Sequence, residues 1–168
     1  MEFFYPNWIN DMWRIFGCIF FGDKDHFVAK PDARDGQTVK SKRFDRYMCA
    51  AFAEEKGIAM FDTATQVRRL KDNASDKFLE IVTPTDITVL LREIPECRAI
   101  VTTGQKATDV IVQTYGCDEP EVGSFTKVTI DGKNLRFWRM PSSSRAYPLP
   151  LEKKAEPYRK MYETEQIL

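Results

Sequence analysis

Histidine is almost missing from this chain: His26 stands alone among 168 residues. The four cysteines, Cys18, Cys49, Cys97 and Cys117, are far apart and form no CxxC pair. Metal ligands come in close pairs, so a zinc site is not expected, and no cofactor is expected either. The same spacing reads as reduced thiols rather than a disulfide framework. Net charge is also missing, with 25 basic against 25 acidic residues. That excludes a globally basic nucleic-acid binder and leaves room for a local basic patch. There is no long hydrophobic run. The stretch Met12–Phe21 is broken by Arg14 and too short to cross a bilayer. The opening MEFFYPNW has no basic n-region, so no signal peptide is read. A cytoplasmic protein without a membrane partner is expected, nucleoid-associated if bacterial.

What is present suits one globular domain over residues 1–168. Apolar residues make up 43% and charged residues 30% of the chain. Asn10 or Asp11 is placed to cap a helix carrying Met12, Trp13, Ile15, Phe16, Ile19 and Phe20, ended by Gly22. A loop follows from Asp23 to Thr38. Ser41 is read as opening a second helix, with Phe44, Tyr47, Met48, Ala51 and Phe52 on one face and Gly57 at its end. Ile58–Phe61 is read as a short buried strand, and Thr63–Ser75 has no clear assignment. Pro84 is read at a first helical position before Ile87–Ile94. Ala99–Thr102 reads as a strand ending at Gly104, and Gln105–Tyr115 as a helix closed by Gly116. Phe125–Ile130 and Leu135–Met140 flank Asp131-Gly132, a two-residue hairpin signal. Leu151–Glu163 is a final amphipathic helix, which Pro157 should weaken or kink. Strands alternating with helices predict an α/β fold, three-layered, with a short, mainly parallel central sheet.

One loop concentrates the functional signal: Arg139-Met140-Pro141-Ser142-Ser143-Ser144-Arg145-Ala146-Tyr147-Pro148. It follows a strand and precedes a helix, where α/β sheets bind ligands. Serine hydroxyls and backbone N–H groups suit phosphate oxygens. Lys133, Arg136, Arg139 and Arg145 lie between Gly132 and Leu151 with no acid among them, the local field that phosphate binding needs. A plain polar surface loop has the same composition. Lys40, Lys42 and Arg43 make a second basic cluster, read as backbone contact or as an ordinary surface helix start. Glu152-Lys153-Lys154 reads as a solvated helix face. Gly104-Gln-Lys106-Ala-Thr108 lacks P-loop spacing, and Gly104 there serves a tight turn.

The order of these residues resembles the uracil-DNA glycosylase superfamily, most closely its mismatch-specific uracil- and thymine-DNA branch. Met140-Pro-Ser-Ser-Ser-Arg145 resembles the second signature loop, and Leu151–Arg159 the closing helix. Ala99-Ile-Val-Thr-Thr-Gly104-Gln-Lys-Ala107 resembles the strand–Gly–helix element. Phe4-Tyr5-Pro6-Asn7-Trp8-Ile9-Asn10-Asp11-Met12-Trp13 resembles the segment after the first catalytic loop. The hypoxanthine-acting branch has a similar aromatic segment.

The resemblance implies a monomeric enzyme acting on double-stranded DNA. It extrudes a damaged or mismatched base and hydrolyses the glycosidic bond. In that reading Asn10 is the polar catalytic or base-reading group, and Tyr5 and Trp13 line the base pocket. Ser142, Ser143 and Ser144 grip phosphates together with Arg139, and Arg145 wedges into the gap. Asn10 as a helix cap and Tyr5 as core packing are the structural alternatives. Met12 stands where the family has an aromatic, and the family's first loop, with its central strand, has no counterpart here. Met1 is therefore expected to be an internal methionine of a longer protein. A catalytically inactive nucleic-acid-binding relative and an unrelated small-molecule enzyme are the other readings.

Overall fold

A computed structural model of the protein describes residues 3–30, 42–69 and 79–168. The chain divides into two compact units: Met1–Met60 with Pro141–Leu168, and Phe61–Met140. The class is mixed α/β, with two small sheets.

The first unit is built on aromatic packing. Helix α1 (Met12–Phe16) runs into a π-helical turn (Gly17–Phe21) and stops at Gly22. Trp13, Phe16, Phe27 and Phe52 meet ring to ring, and Phe16 and Phe20 also meet Tyr162. Such contacts add about 0.5–1.5 kcal/mol each beyond area burial. Helix α2 (Arg46–Glu55) starts later than the sequence suggested. Asp45 caps it by accepting from the N–H groups of Tyr47 and Met48. A side-chain acceptor for orphan N–H groups decides where a helix begins, and the proposed start at Ser41 lies outside the described residues. The buried face is Cys49 and Phe52, while Tyr47 and Met48 are exposed.

The expected strand at Ile58–Phe61 does not form. Gly57 adopts φ 64°, and the Ile58 N–H bonds Ala53 O at 2.8 Å while Gly57 N–H bonds Glu54 O. These two bonds close α2 in a Schellman motif and draw the next residues into an irregular turn. Helix α5 (Leu151–Thr164) is continuous through Pro157.

The second unit holds both sheets. β1 (Ala64–Arg69), in the segment left unassigned above, pairs antiparallel with β2 (Leu79–Pro84). Pro84 therefore ends a strand, and Asp86 caps the short helix α3 (Ile87–Glu93) instead. β3 (Ala99–Thr103), helix α4 (Gln105–Tyr115), β4 (Ser124–Ile130) and β5 (Lys133–Met140) follow. The order β3-β5-β4 puts β5 in the middle, parallel to β3 and antiparallel to β4. The sheet is thus not mainly parallel. Asp131 and Gly132 both have positive φ, which makes the tight turn that folds β4 back on β5. Alternate residues Val128, Ile130, Leu135 and Phe137 face Leu91 of α3 and Ile111 of α4. Among the described residues no helix is long and apolar enough to cross a membrane.

Candidate functional site

The first unit joins two stretches from opposite ends of the chain. Asn10 and Ser144 form a β-bridge. Asp11 N–H donates to Ser143 O at 2.7 Å, and Arg145 N–H donates to Ile9 O at 3.0 Å. The serine loop is therefore fastened to the N-terminal segment by its backbone. At its start, the buried Tyr158 hydroxyl of α5 donates to Pro141 O at 2.9 Å. Burial pushes that phenol well above its ordinary value.

Within the loop, Ser142 Oγ accepts from Ser144 N–H and Ser144 Oγ accepts from Ala146 N–H, both at 3.2 Å. These side-chain-to-backbone bonds shape the loop locally. Each uses a lone pair and leaves the hydroxyl proton to donate. Ser142 and Ser144 are partly exposed, and Ser143 is buried.

Beneath the loop lies an ionic cluster centred on Asp11, which the sequence marks only as a possible cap. Asp11 is 7% exposed and its side chain caps nothing. Its Oδ1 accepts from Arg145 Nε at 2.9 Å and Arg14 Nη1 at 3.3 Å, and its Oδ2 from Lys154 Nζ at 3.1 Å. Lys154 also donates to Ser144 O at 2.8 Å. With 1% exposure, Lys154 is a buried cation and not part of a solvated face. Helix periodicity places it on the same side as Tyr158, four residues on, which is the signal that was available. Burial pushes the Asp11 carboxyl up, but hydrogen bonds from Arg145 and Lys154, with their charges, hold it below the ordinary aspartate value. Burial and the nearby Arg145 push the Arg14 guanidinium down, opposed by Asp11 and Asp25.

Asn10 caps α1 through its side chain: Oδ1 accepts from Met12 N–H at 2.9 Å. Among the described residues its amide nitrogen donates to no protein group. Tyr5 is half-buried and sits at φ 53°, a backbone region that non-glycine residues rarely occupy. Trp13 is 2% exposed, stacked on Phe3, with its indole N–H given to Phe4 O at 3.0 Å. It is a core side chain. Arg139 belongs to the second unit, where it pairs with Glu119 at 2.6 Å, donates to Pro120 O at 3.1 Å and bonds Gln105.

Among the described residues no group of three His, Cys, Asp or Glu is placed to hold a metal ion, and all four cysteines are free. Neither family models, nor curated proteins, nor solved structures give a match to this chain.

Proposed function

We propose that the chain is a DNA N-glycosylase that extrudes a damaged or mismatched base (uracil, thymine or hypoxanthine) and hydrolyses its N-glycosidic bond. The observation that carries this reading is the bridge between Asn10 and Ser144, with the 2.7 Å bond from Asp11 to Ser143 beside it. It sets a group able to read a base edge against a loop able to hold phosphates. The Asn10 amide nitrogen has a proton to offer a base carbonyl. The hydroxyls of Ser142 and Ser144 offer protons to the flanking phosphates. A leaving base is anionic, and the cationic excess of Arg14, Arg145 and Lys154 over Asp11 favours charge of that sign nearby.

A second reading, a nucleic-acid-binding relative without hydrolysis, is favoured by Asp11 itself. A carboxylate bonded by three cations is a weak base, and a buried one does not reach a water easily. Alkaline cleavage of labelled duplexes carrying uracil, a G·T mismatch or hypoxanthine separates the two. Lesion-dependent cleavage that falls in Asn10→Ala is the expected result. Binding to an abasic duplex without cleavage of any lesion supports the second reading and refutes the first.

A further inference from the structure

Trp8 has no part in the base chemistry above, yet cations surround it. The residue sits in the turn before α1, where Asn10 N–H bonds Asn7 O at 3.0 Å. Trp8 is partly exposed, and its ring packs against Phe44 with centroids 5.1 Å apart. The Arg14 guanidinium lies 3.8 Å from the ring centroid, that of Arg145 5.6 Å and Lys42 Nζ 5.9 Å. An aromatic face attracts a nearby cation, which offsets some of the repulsion among the three.

Arg14, Lys42, Arg145 and Lys154 stand against Asp11 and the more distant Asp25. Lys42 is exposed, and the Arg145 side chain is 42% exposed. Among the described residues, Lys42 Nζ has no hydrogen-bond acceptor and no ion pair. The same holds for the two terminal nitrogens of Arg145, whose Nε alone is taken by Asp11. Arg14 Nη2 is buried and has no hydrogen-bond partner among the described residues. Among the described residues, donors therefore outnumber acceptors around one indole ring.

We propose that Trp8, Lys42 and Arg145 form a seat for the backbone of a nucleic-acid strand. Lys42 Nζ and the Arg145 fork take phosphates, and the Trp8 ring near both packs a sugar or an unstacked base. The ring favours a strand over a bare anion, since bases and sugars pack on an aromatic face and a bare phosphate does not. Asp11 has a positioning role: by holding Nε it turns the planar fork outward, the geometry for bidentate phosphate contact. Arg145 is then a fixed phosphate clamp rather than a swinging wedge. The inference rests on the nucleic-acid part of the proposed function and not on hydrolysis.

The test is fluorescence anisotropy of a labelled duplex and a single strand of equal length between about 50 and about 300 mM salt. Wild type is compared with Lys42→Gln, Arg145→Lys, Trp8→Ala and, as a surface control, Lys153→Gln. Lys42→Gln is expected to weaken binding severalfold, alike for all sequences, and to flatten the log–log salt slope by about 0.9. Arg145→Lys keeps the charge and is expected to weaken binding with little change of slope, as is Trp8→Ala. Among the described residues Lys42 makes no hydrogen bond and no ion pair, so the thermal unfolding of Lys42→Gln should match wild type. If Lys42→Gln binds like Lys153→Gln, the seat is refuted while the proposed function stands. If inorganic phosphate displaces DNA well beyond its ionic-strength effect, the seat holds a small anion and the strand proposal fails. A wild type that binds no nucleic acid overturns both proposals, and base release from the same samples reports separately on hydrolysis.

Discussion

Replacing Asp11 by Asn removes the negative charge that Arg14, Arg145 and Lys154 share. Lys154 and Arg14 are 1% and 4% exposed, so neither gains hydration in exchange. Breaking a buried pair by deleting one partner costs about 3–5 kcal/mol, because the remaining charge is left uncompensated. Asp11→Asn belongs in that range. Lys154→Met is milder. Asp11 keeps Arg14 and Arg145, and Ser144 O keeps the Tyr147 N–H at 3.1 Å, so about 2–3 kcal/mol is expected. In the double variant the stranded charges are fewer, and the total loss should fall short of the sum by at least about 1 kcal/mol. Urea unfolding followed by circular dichroism and tryptophan fluorescence gives all three values. An Asp11→Asn loss under about 1 kcal/mol, or simple additivity, would refute the reading of Asp11 as the buried partner shared by these cations.

Acid should erase the difference between wild type and Asp11→Asn. The folded carboxyl titrates below its ordinary value, so its stabilisation is complete above about pH 4 and is lost as pH falls through the folded value. The gap in urea midpoint should be large at about pH 7 and should narrow as the pH falls below about pH 4; a gap that does not change with pH contradicts the assignment. Tyr158→Phe leaves the buried Pro141 carbonyl without its hydroxyl donor, and a loss of about 1–3 kcal/mol in thermal or urea unfolding is expected. No measurable loss would mean that this bond does not anchor the loop. Gly17→Ala would put a methyl group 2.3 Å from Asp23 O, a backbone atom that cannot swing aside. A loss of at least about 1–3 kcal/mol follows, and an unchanged melting temperature would show that the π-helical turn adapts freely.

Much of the fold was legible because it is local. The Asp131-Gly132 turn needs positive φ at both positions, and the chain's alternation on either side defines β4 and β5. The helix at Gln105–Tyr115 lies between Gly104 and Gly116, and Gly22 ends the π-helical turn as its position suggested. The misreadings have a common cause. Ile58–Phe61 is apolar enough for a strand, but a strand exists only with a partner, and the Gly57 closure leads the chain elsewhere. Pro84 fits a helix start or a strand end equally well, and pairing with Ala64 decided for the strand. The mainly parallel sheet was inferred from alternation of elements, whereas the hairpin makes one of its two pairings antiparallel.

The candidate site divides along the same line. Sequence alone set out the ingredients: a proline-flanked serine loop with Arg145, an aromatic N-terminal segment and Asn10 as a cap. Charge signs and turn chemistry are properties of neighbouring residues, so they can be read along the chain. Only the tertiary structure brought Asn10 to Ser144, placed Asp11 among three cations and put both Lys42 and Arg145 close to the Trp8 ring. It alone showed that Lys154 is buried while Lys153, its neighbour, is exposed. Burial and ion pairing depend on what lies across space. For Asp11 the partners are as far as 143 residues away in the chain, beyond the reach of any local pattern.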